Sequence, residues 1–200
     1  MKLGITVMRG LAATLIFLPS AALAHTGVGD TSGFLHGFSH PLSGPDHILA
    51  MTMVGLFAWQ LGRRALWLVP ASFVAVMALG GLLGGTGVEV PYVETGIALS
   101  VVVLGAVVAL GVKAPVAAAM GLVGLFAMFH GHAHGAEMPE DAAGVAYAAG
   151  FMIATVLLHV IGIGIGLLIG KGSERYGQVV VRSAGGLAAV TGVGLLAGVL

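Results

Sequence analysis

The chain has 200 residues, of which 58% are hydrophobic and 8% are charged, with a formal net charge of zero and no cysteine. A soluble domain carries roughly 25% charged residues, so this composition indicates an integral membrane protein. The lack of cysteine excludes disulfides, thiolate-bound zinc and iron–sulfur clusters. The lack of a basic patch excludes the electrostatic surface that nucleic-acid binding requires.

Residues 1–24 have the pattern of a secretory signal peptide. Two basic residues accompany a short apolar stretch over residues 10–18, and Ala22-Leu23-Ala24 provides a small-residue cleavage site. The alternative is an uncleaved first helix, but a spanning helix needs roughly 20 apolar residues. Cleavage would leave His25 at the N-terminus, where its free amine and imidazole together could chelate a divalent late transition metal.

Six apolar segments follow, and each is long enough to cross a bilayer. They cover residues 45–62, 65–84, 93–112, 114–129, 142–170 and 178–200. Short connections rich in turn residues join them, which leaves no room for a soluble domain. We therefore predict an all-α membrane protein, a six-helix transmembrane bundle that forms a single domain over residues 25–200 after a cleavable signal peptide.

The basic residues predict the orientation of this bundle. All those after the signal flank the same set of alternate connections: Arg63, Arg64, Lys113, Lys171, Arg175 and Arg182. Lysine and arginine near helix ends are retained on the cytoplasmic side. We therefore expect a multi-pass membrane protein, with both termini of the mature chain and its clustered histidines on the extracytoplasmic side.

Glycines recur four residues apart in three segments, at positions 80/84, 81/85, 162/166/170 and 194/198. Small residues at this spacing let helices approach closely in lipid. The alternative is that glycine is simply common in membrane helices, and the sequence does not separate the two interpretations.

The string HPLSGPDH (residues 40–47) precedes the first apolar segment. If residues 32–40 are helical and Pro41 ends the helix, His36 and His40 share one face. Asp46 and His47 then lie in the first turn of the next helix, where the carboxylate could ligate a cation or orient an imidazole. Irregular backbone followed by ligands at a helix mouth is typical of ion sites in membrane proteins.

The string FHGHAHGAE (residues 129–137) follows the fourth apolar segment. A helix extended outward by two turns would align His130, His134 and Glu137 on one stripe, while His132, a further candidate ligand, would point elsewhere. The alternative is a solvated loop that the two glycines of the string make flexible. Two histidine pairs on the same side of a membrane favour a metal site.

His159 lies inside the fifth apolar segment. An ionisable residue at such depth suggests a functional role, here as a ligand along a permeation path. The alternative is a structural hydrogen bond between helices, to Ser100, Thr155 or Thr191.

Imidazoles with one or two carboxylates suit nickel, cobalt, copper(II) or zinc, whereas magnesium and calcium prefer oxygen ligands. Spacing alone does not choose among the four metals. Two further functions use similar ligands: an intramembrane zinc-dependent hydrolase with Asp46 as base, and a haem-binding electron carrier, which would need histidines paired at matched depth.

With HPLSGPDH, HGHAHGAEMP, a signal peptide and six spans, the chain resembles the HupE/UreJ family of bacterial nickel permeases over essentially its whole mature length. The resemblance implies a secondary transporter of the bacterial inner membrane, which carries nickel or cobalt inward for hydrogenase or urease maturation. It also implies that the protein is not an enzyme and has no cofactor. It implicates seven residues as ligands: His36, His40, Asp46, His47, His130, His134 and Glu137. A neighbouring group of nickel/cobalt transporters has four residues between His and Asp-His, whereas this chain has five. The sequence favours no oligomeric state.

Overall fold

The computed structural model describes residues 33–139, 142–172 and 174–200. Seven α-helices and no strand occupy these residues: α1 (Gly33–Ser43), α2 (Pro45–Leu61), α3 (Ala65–Gly85), α4 (Val93–Leu110), α5 (Val116–Ala136), α6 (Ala142–Gly172) and α7 (Glu174–Leu196). Five of the described helices, α3 to α7, are long and apolar enough to cross a membrane. The prediction of an all-α membrane protein is thus confirmed. The predicted signal peptide and His25 lie outside the described residues.

The central helix of the bundle is α2, which packs against all six other helices. Its residues 53–58 are buried without interruption, as expected for a helix that is apolar on every side. At 17 residues α2 is one residue shorter than α4, the shortest of the five long helices. The number of membrane crossings therefore depends on α2, and the count of six stays a prediction.

Glycines bring α3 and α5 into direct backbone contact along parallel paths. A Cβ on Gly80 or Gly84 would collide with backbone carbonyls of α5, and a Cβ on Gly131 or Gly135 would collide with those of α3.

Glycines also allow close packing of two other helix pairs. They join α4 to α7 through Gly105 and Gly185, and α2 to α6 through Gly55 and Gly162. Close approach, rather than composition alone, explains these glycines. Gly198 differs, because it has a φ of +66° and a Cβ there would meet no atom within 4 Å.

The helices α1 and α2 lie end to end alongside α6. Gly37 of α1 contacts the backbone of Tyr147 in the first half of α6, and Gly55 of α2 contacts the backbone of His159 in the second half. Together α1 and α2 thus behave as one interrupted helix parallel to α6. Interrupted helices are a recurrent way to place ion ligands inside a membrane protein.

The interruption falls at Gly44, not at Pro41 as the sequence predicted. Helix α1 continues through Pro41 to Ser43, and the Ser43 hydroxyl donates a hydrogen bond to the carbonyl of His40 (2.8 Å) at the helix end. Gly44 is extended, with φ −87° and ψ 120°. The physical reason is Pro45, whose ring disfavours a helical conformation in the residue before it and suits the first position of α2.

Basic residues lie together at one end of the bundle, where two side-chain hydrogen bonds join the helices. Gln60 Nε2 donates to the carbonyl of Val108 (3.0 Å), which joins the C-terminal ends of α2 and α4. Arg182 Nε donates to the carbonyl of Ala109 (2.7 Å), at the same end of α4. The connections that follow α2 and α4 carry three further cations, Arg63, Arg64 and Lys113. The histidine-rich strings lie at the opposite ends of their helices.

Candidate metal site

The break between α1 and α2 brings two histidines together. His40 lies in the last turn of α1 and His47 in the first turn of α2, and their ring centroids are 5.8 Å apart. Gly44 allows this turn, because a Cβ there would lie 2.6 Å from the Oδ1 atom of Asp46. The local sequence thus interrupts the helix at a point where two imidazoles face each other.

Helix α5 supplies two more histidines to the same place. It extends to Ala136, beyond the predicted end at residue 129, so His130 and His134 lie on one helical face. Both side chains are buried, at 0% exposure. The interpretation of this string as a flexible solvated loop is wrong, because Gly131 and Gly135 are the residues that hold α5 against α3.

Four imidazoles from three helices form one cluster, in which His47 contacts the other three. The His134 ring centroid is 4.9 Å from those of His40 and His47, and the His130 centroid is 4.8 Å from that of His47. One ring nitrogen from each of His40, His47 and His134 lies within 4.8 Å of the other two. This spacing suits three nitrogen ligands around a single transition-metal ion.

Buried nitrogens without partners support a metal at this point. His47 Nε2, both ring nitrogens of His134 and His130 Nδ1 are buried and have no hydrogen-bond partner among the described residues. Buried polar groups are normally paired, and leaving one unpaired costs about 1–3 kcal/mol. A bound metal ion would satisfy several of these nitrogens at once.

Asp46 orients one of these imidazoles. Its Oδ1 atom accepts the backbone N–H of His47 and lies 2.8 Å from His47 Nδ1. A carboxylate beside Nδ1 fixes the orientation and the tautomer of the ring, which leaves Nε2 as the nitrogen that could bind a metal. Of the two roles predicted for Asp46, the geometry favours orientation of His47.

Ser100 does the same for His130. The Ser100 hydroxyl donates its proton to the carbonyl of Ile97 (2.6 Å) and lies 2.9 Å from His130 Nε2. Because a hydroxyl has a single proton, Nε2 must carry the hydrogen of the second bond and donate it to Ser100. His130 Nδ1 therefore keeps its lone pair for a ligand.

Two further predicted residues lie at the edge of the cluster. Glu137, directly after α5, places its Oε2 atom 3.4 Å from His40 Nδ1. The His36 ring centroid is 6.5 Å from that of His40 and 5.4 Å from that of Tyr147. Burial lowers the pKa of His40, and the Glu137 carboxylate opposes this shift. The net effect is a lowered pKa, so the imidazole of His40 stays neutral, and hence able to bind metal, at a lower pH than an ordinary histidine does.

His159 is separate from the four imidazoles but is linked to them by Phe73. The Phe73 ring centroid is 5.0 Å from that of His159 and 5.8 Å from that of His130. His159 is 1% exposed, and neither ring nitrogen has a partner among the described residues. The alternative of a structural hydrogen bond is not supported: Ser100 contacts His130, Thr155 donates to Met77 Sδ (3.7 Å), and Thr191 donates to Leu187 of its own helix.

His132 is not brought into the cluster. Its Nε2 atom lies 2.6 Å from the carbonyl of Val88, in the connection between α3 and α4. This contact ties the connection to the end of α5, on the face away from His130 and His134. The helical spacing of the string predicted this opposite direction.

Three aromatic residues around the cluster were missed by the sequence interpretation. Phe151 stacks on His134 with centroids 4.6 Å apart and an interplanar angle of 13°. Tyr147 is fully buried beside His36, and Phe73 contacts His130. Tyr147 and Phe151 are four residues apart and so share a helical face, which was the available signal. No local pattern distinguishes Phe73 from an ordinary core residue.

Comparisons with known proteins agree over nearly the whole chain. Residues 13–195 match the family model described as HupE / UreJ protein. The chain is 52% identical over 182 residues to Protein HupE from Rhizobium leguminosarum bv. viciae, an alignment that covers 90% of this chain and 93% of the relative. No solved structure matches the chain. On the strength of the family match and this relative, the chain belongs to the HupE/UreJ family.

Proposed function

We propose that the chain is a secondary permease for a divalent transition metal, with nickel as the first candidate and cobalt as the second. It carries the ion from the extracytoplasmic side to the cytoplasm, for the maturation of hydrogenase or urease. The single observation that supports this most strongly is the convergence of His40, His47 and His134, whose ligand nitrogens lie within 4.8 Å of one another. Membership of the HupE/UreJ family adds to it.

The ligand types favour this class of cargo. Neutral imidazole nitrogens with a nearby carboxylate, in a chain without cysteine, suit nickel and cobalt and do not suit magnesium or calcium. The zinc hydrolase alternative is not supported by the family match. Its base would have been Asp46, but Asp46 Oδ1 contacts both the backbone N–H and Nδ1 of His47, so it is occupied with positioning a ligand.

In the proposed topology α2 is the first of six spans, and residues 25–200 form one domain in the inner membrane. At 1.5 Å per residue, the 17 residues of α2 measure about 26 Å, close to the roughly 30 Å of a bilayer core. The grouping of Arg63, Arg64, Lys113 and Arg182 at one end supports a cytoplasmic location for that end. Both termini of the mature chain are then extracytoplasmic, and the histidine cluster faces the outer side.

The proposed mechanism is capture followed by stepwise transfer. Glu137 and His36 meet the hydrated ion first, and His40, His47 and His134 replace part of its water shell. His130 then shares the ion and passes it beyond the Phe73 ring to His159. Several moderate sites in series serve permeation better than one tight site, because the ion must also leave. The sequence contains no nucleotide-binding motif, so the energy for transport comes from a gradient or from a partner protein.

Uptake of radioactive metal by proteoliposomes tests the proposed function directly. We expect saturable nickel uptake that exceeds the uptake of zinc and copper, with cobalt second. Equal passage of all four metals, or none above that of protein-free vesicles, would contradict the proposal.

Replacement of His159 with leucine separates capture from transfer. We expect the uptake rate to fall about tenfold, the equivalent of 1.4 kcal/mol on the barrier, because the buried intermediate ligand is lost. Equilibrium affinity for nickel should change by no more than about twofold, because the outer cluster of histidines is intact. A twofold change in affinity is well below 1.4 kcal/mol. Thr191→Val is the matched control, because its hydroxyl bonds within α7. If His159→Leu leaves the rate unchanged, His159 is not on the path.

A further inference from the structure

A groove on the outside of the bundle runs between α3 and α6. It encloses about 410 Å³, and apolar side chains dominate its walls, among them Leu66, Trp67, Val74, Met152 and Val160. On α3 it extends from Leu66 to Ala78, a length of about 18 Å at 1.5 Å per residue. One leaflet of a bilayer core is about 15 Å thick, half of roughly 30 Å. The groove therefore has the length of a single acyl chain.

Positive charge stands at one end of this groove. Arg64 directly precedes α3, Arg63 precedes Arg64, and both are exposed. Within the described part of the chain neither forms an ion pair. Trp67, in the first turn of α3, is 79% exposed, and an amphipathic indole at a helix end is typical of the membrane–water interface. Another cation of this end, Arg182, is already bonded to carbonyls of α4.

We propose that this groove binds an anionic phospholipid, with one acyl chain between α3 and α6 and the phosphate on Arg63 and Arg64. Guanidinium groups pair with phosphate through charge-assisted and often bidentate hydrogen bonds. Basic residues at the cytoplasmic ends of membrane helices are a recurrent recognition element for anionic headgroups. A second copy of the chain is a poorer occupant, because the sequence of this end offers one carboxylate, Glu174, beside its several cations.

The test is native mass spectrometry of the full-length protein purified with equal amounts of phosphatidylglycerol and phosphatidylcholine of identical acyl chains. We expect the wild-type chain to retain one phosphatidylglycerol about tenfold more often than one phosphatidylcholine, a preference worth about 1.4 kcal/mol. Added inorganic phosphate should not displace the lipid, because it cannot fill the apolar groove. Equal retention of the two lipids, or displacement by phosphate, would overturn the proposal without any variant.

Variants separate the two parts of the site. Arg63→Gln with Arg64→Gln should abolish the preference for phosphatidylglycerol, whereas Lys113→Gln, which removes a charge from the same end of the bundle, should leave it unchanged. Ala71→Phe, which fills the groove wall, should reduce retention of both lipids. An equal loss in Lys113→Gln would show attraction by general charge only, and unchanged retention in Ala71→Phe would place the lipid elsewhere. Either result contradicts the groove as the site.

Discussion

Replacing His47 with alanine is expected to abolish nickel uptake and to lower nickel affinity by at least about 100-fold. Loss of residues that only orient a ligand costs about 10–100-fold, and His47 is the ligand itself. Its ring contacts those of His40, His130 and His134, so its removal opens the centre of the cluster. Uptake by proteoliposomes and titration calorimetry measure the two effects.

The matched control for this variant is His132→Ala. It also removes an imidazole from the same end of the bundle, but His132 Nε2 contacts the carbonyl of Val88 and not the cluster. We expect a loss of stability of about 1 kcal/mol from the missing hydrogen bond, with uptake nearly unchanged. If His132→Ala abolishes uptake and His47→Ala does not, the assignment of ligands is wrong.

Replacing Gly131 with valine is expected to destabilise the protein by about 3 kcal/mol or more, at the upper end of the cost of overpacking. Any Cβ at this position collides with the backbone carbonyl of Met77, and a carbonyl on a packed helix cannot move aside as a flexible side chain can. Helices α3 and α5 must separate, and His130 and His134 move with α5. Nickel affinity should therefore fall together with thermal stability, measured by unfolding in detergent.

Gly121→Val provides the control on the same helix. Gly121 is exposed and has nothing within 4 Å of an added Cβ, so valine there meets open space and should leave stability and nickel affinity unchanged. A Gly131→Val protein as stable as Gly121→Val would mean that α3 and α5 do not pack through their glycines.

The sequence predicts helices well because hydrophobic segments and prolines are local features. The start of α2 at Pro45 follows from the local sequence, and spacing places His130 and His134 on one face once the segment is helical. The continuation of α5 to Ala136 is harder to predict, because glycine is flexible in an isolated segment. Here Gly131 and Gly135 are stabilised in the helix by contact with α3, which is a tertiary effect.

The cluster itself could be predicted only in part. Spacing indicates which histidines share a helix, but it does not reveal that His134 meets both His40 and His47, since those contacts join segments far apart in the chain. The predicted alternative of a hydrogen bond between Ser100 and His159 is wrong, because spacing also does not reveal which buried histidine Ser100 meets. Both are buried polar residues, and only the packing of α4 against α5 selects His130 as the partner of Ser100.

X-ray absorption at the nickel edge, on protein loaded with one equivalent of nickel, tests the convergence of the histidines most directly. The account predicts imidazole nitrogens in the first shell, with three histidines per nickel as His40, His47 and His134 provide, and a lower imidazole count in His47→Ala. A first shell of oxygen alone, as in hydrated nickel, with no imidazole scattering in the wild-type protein, would contradict it.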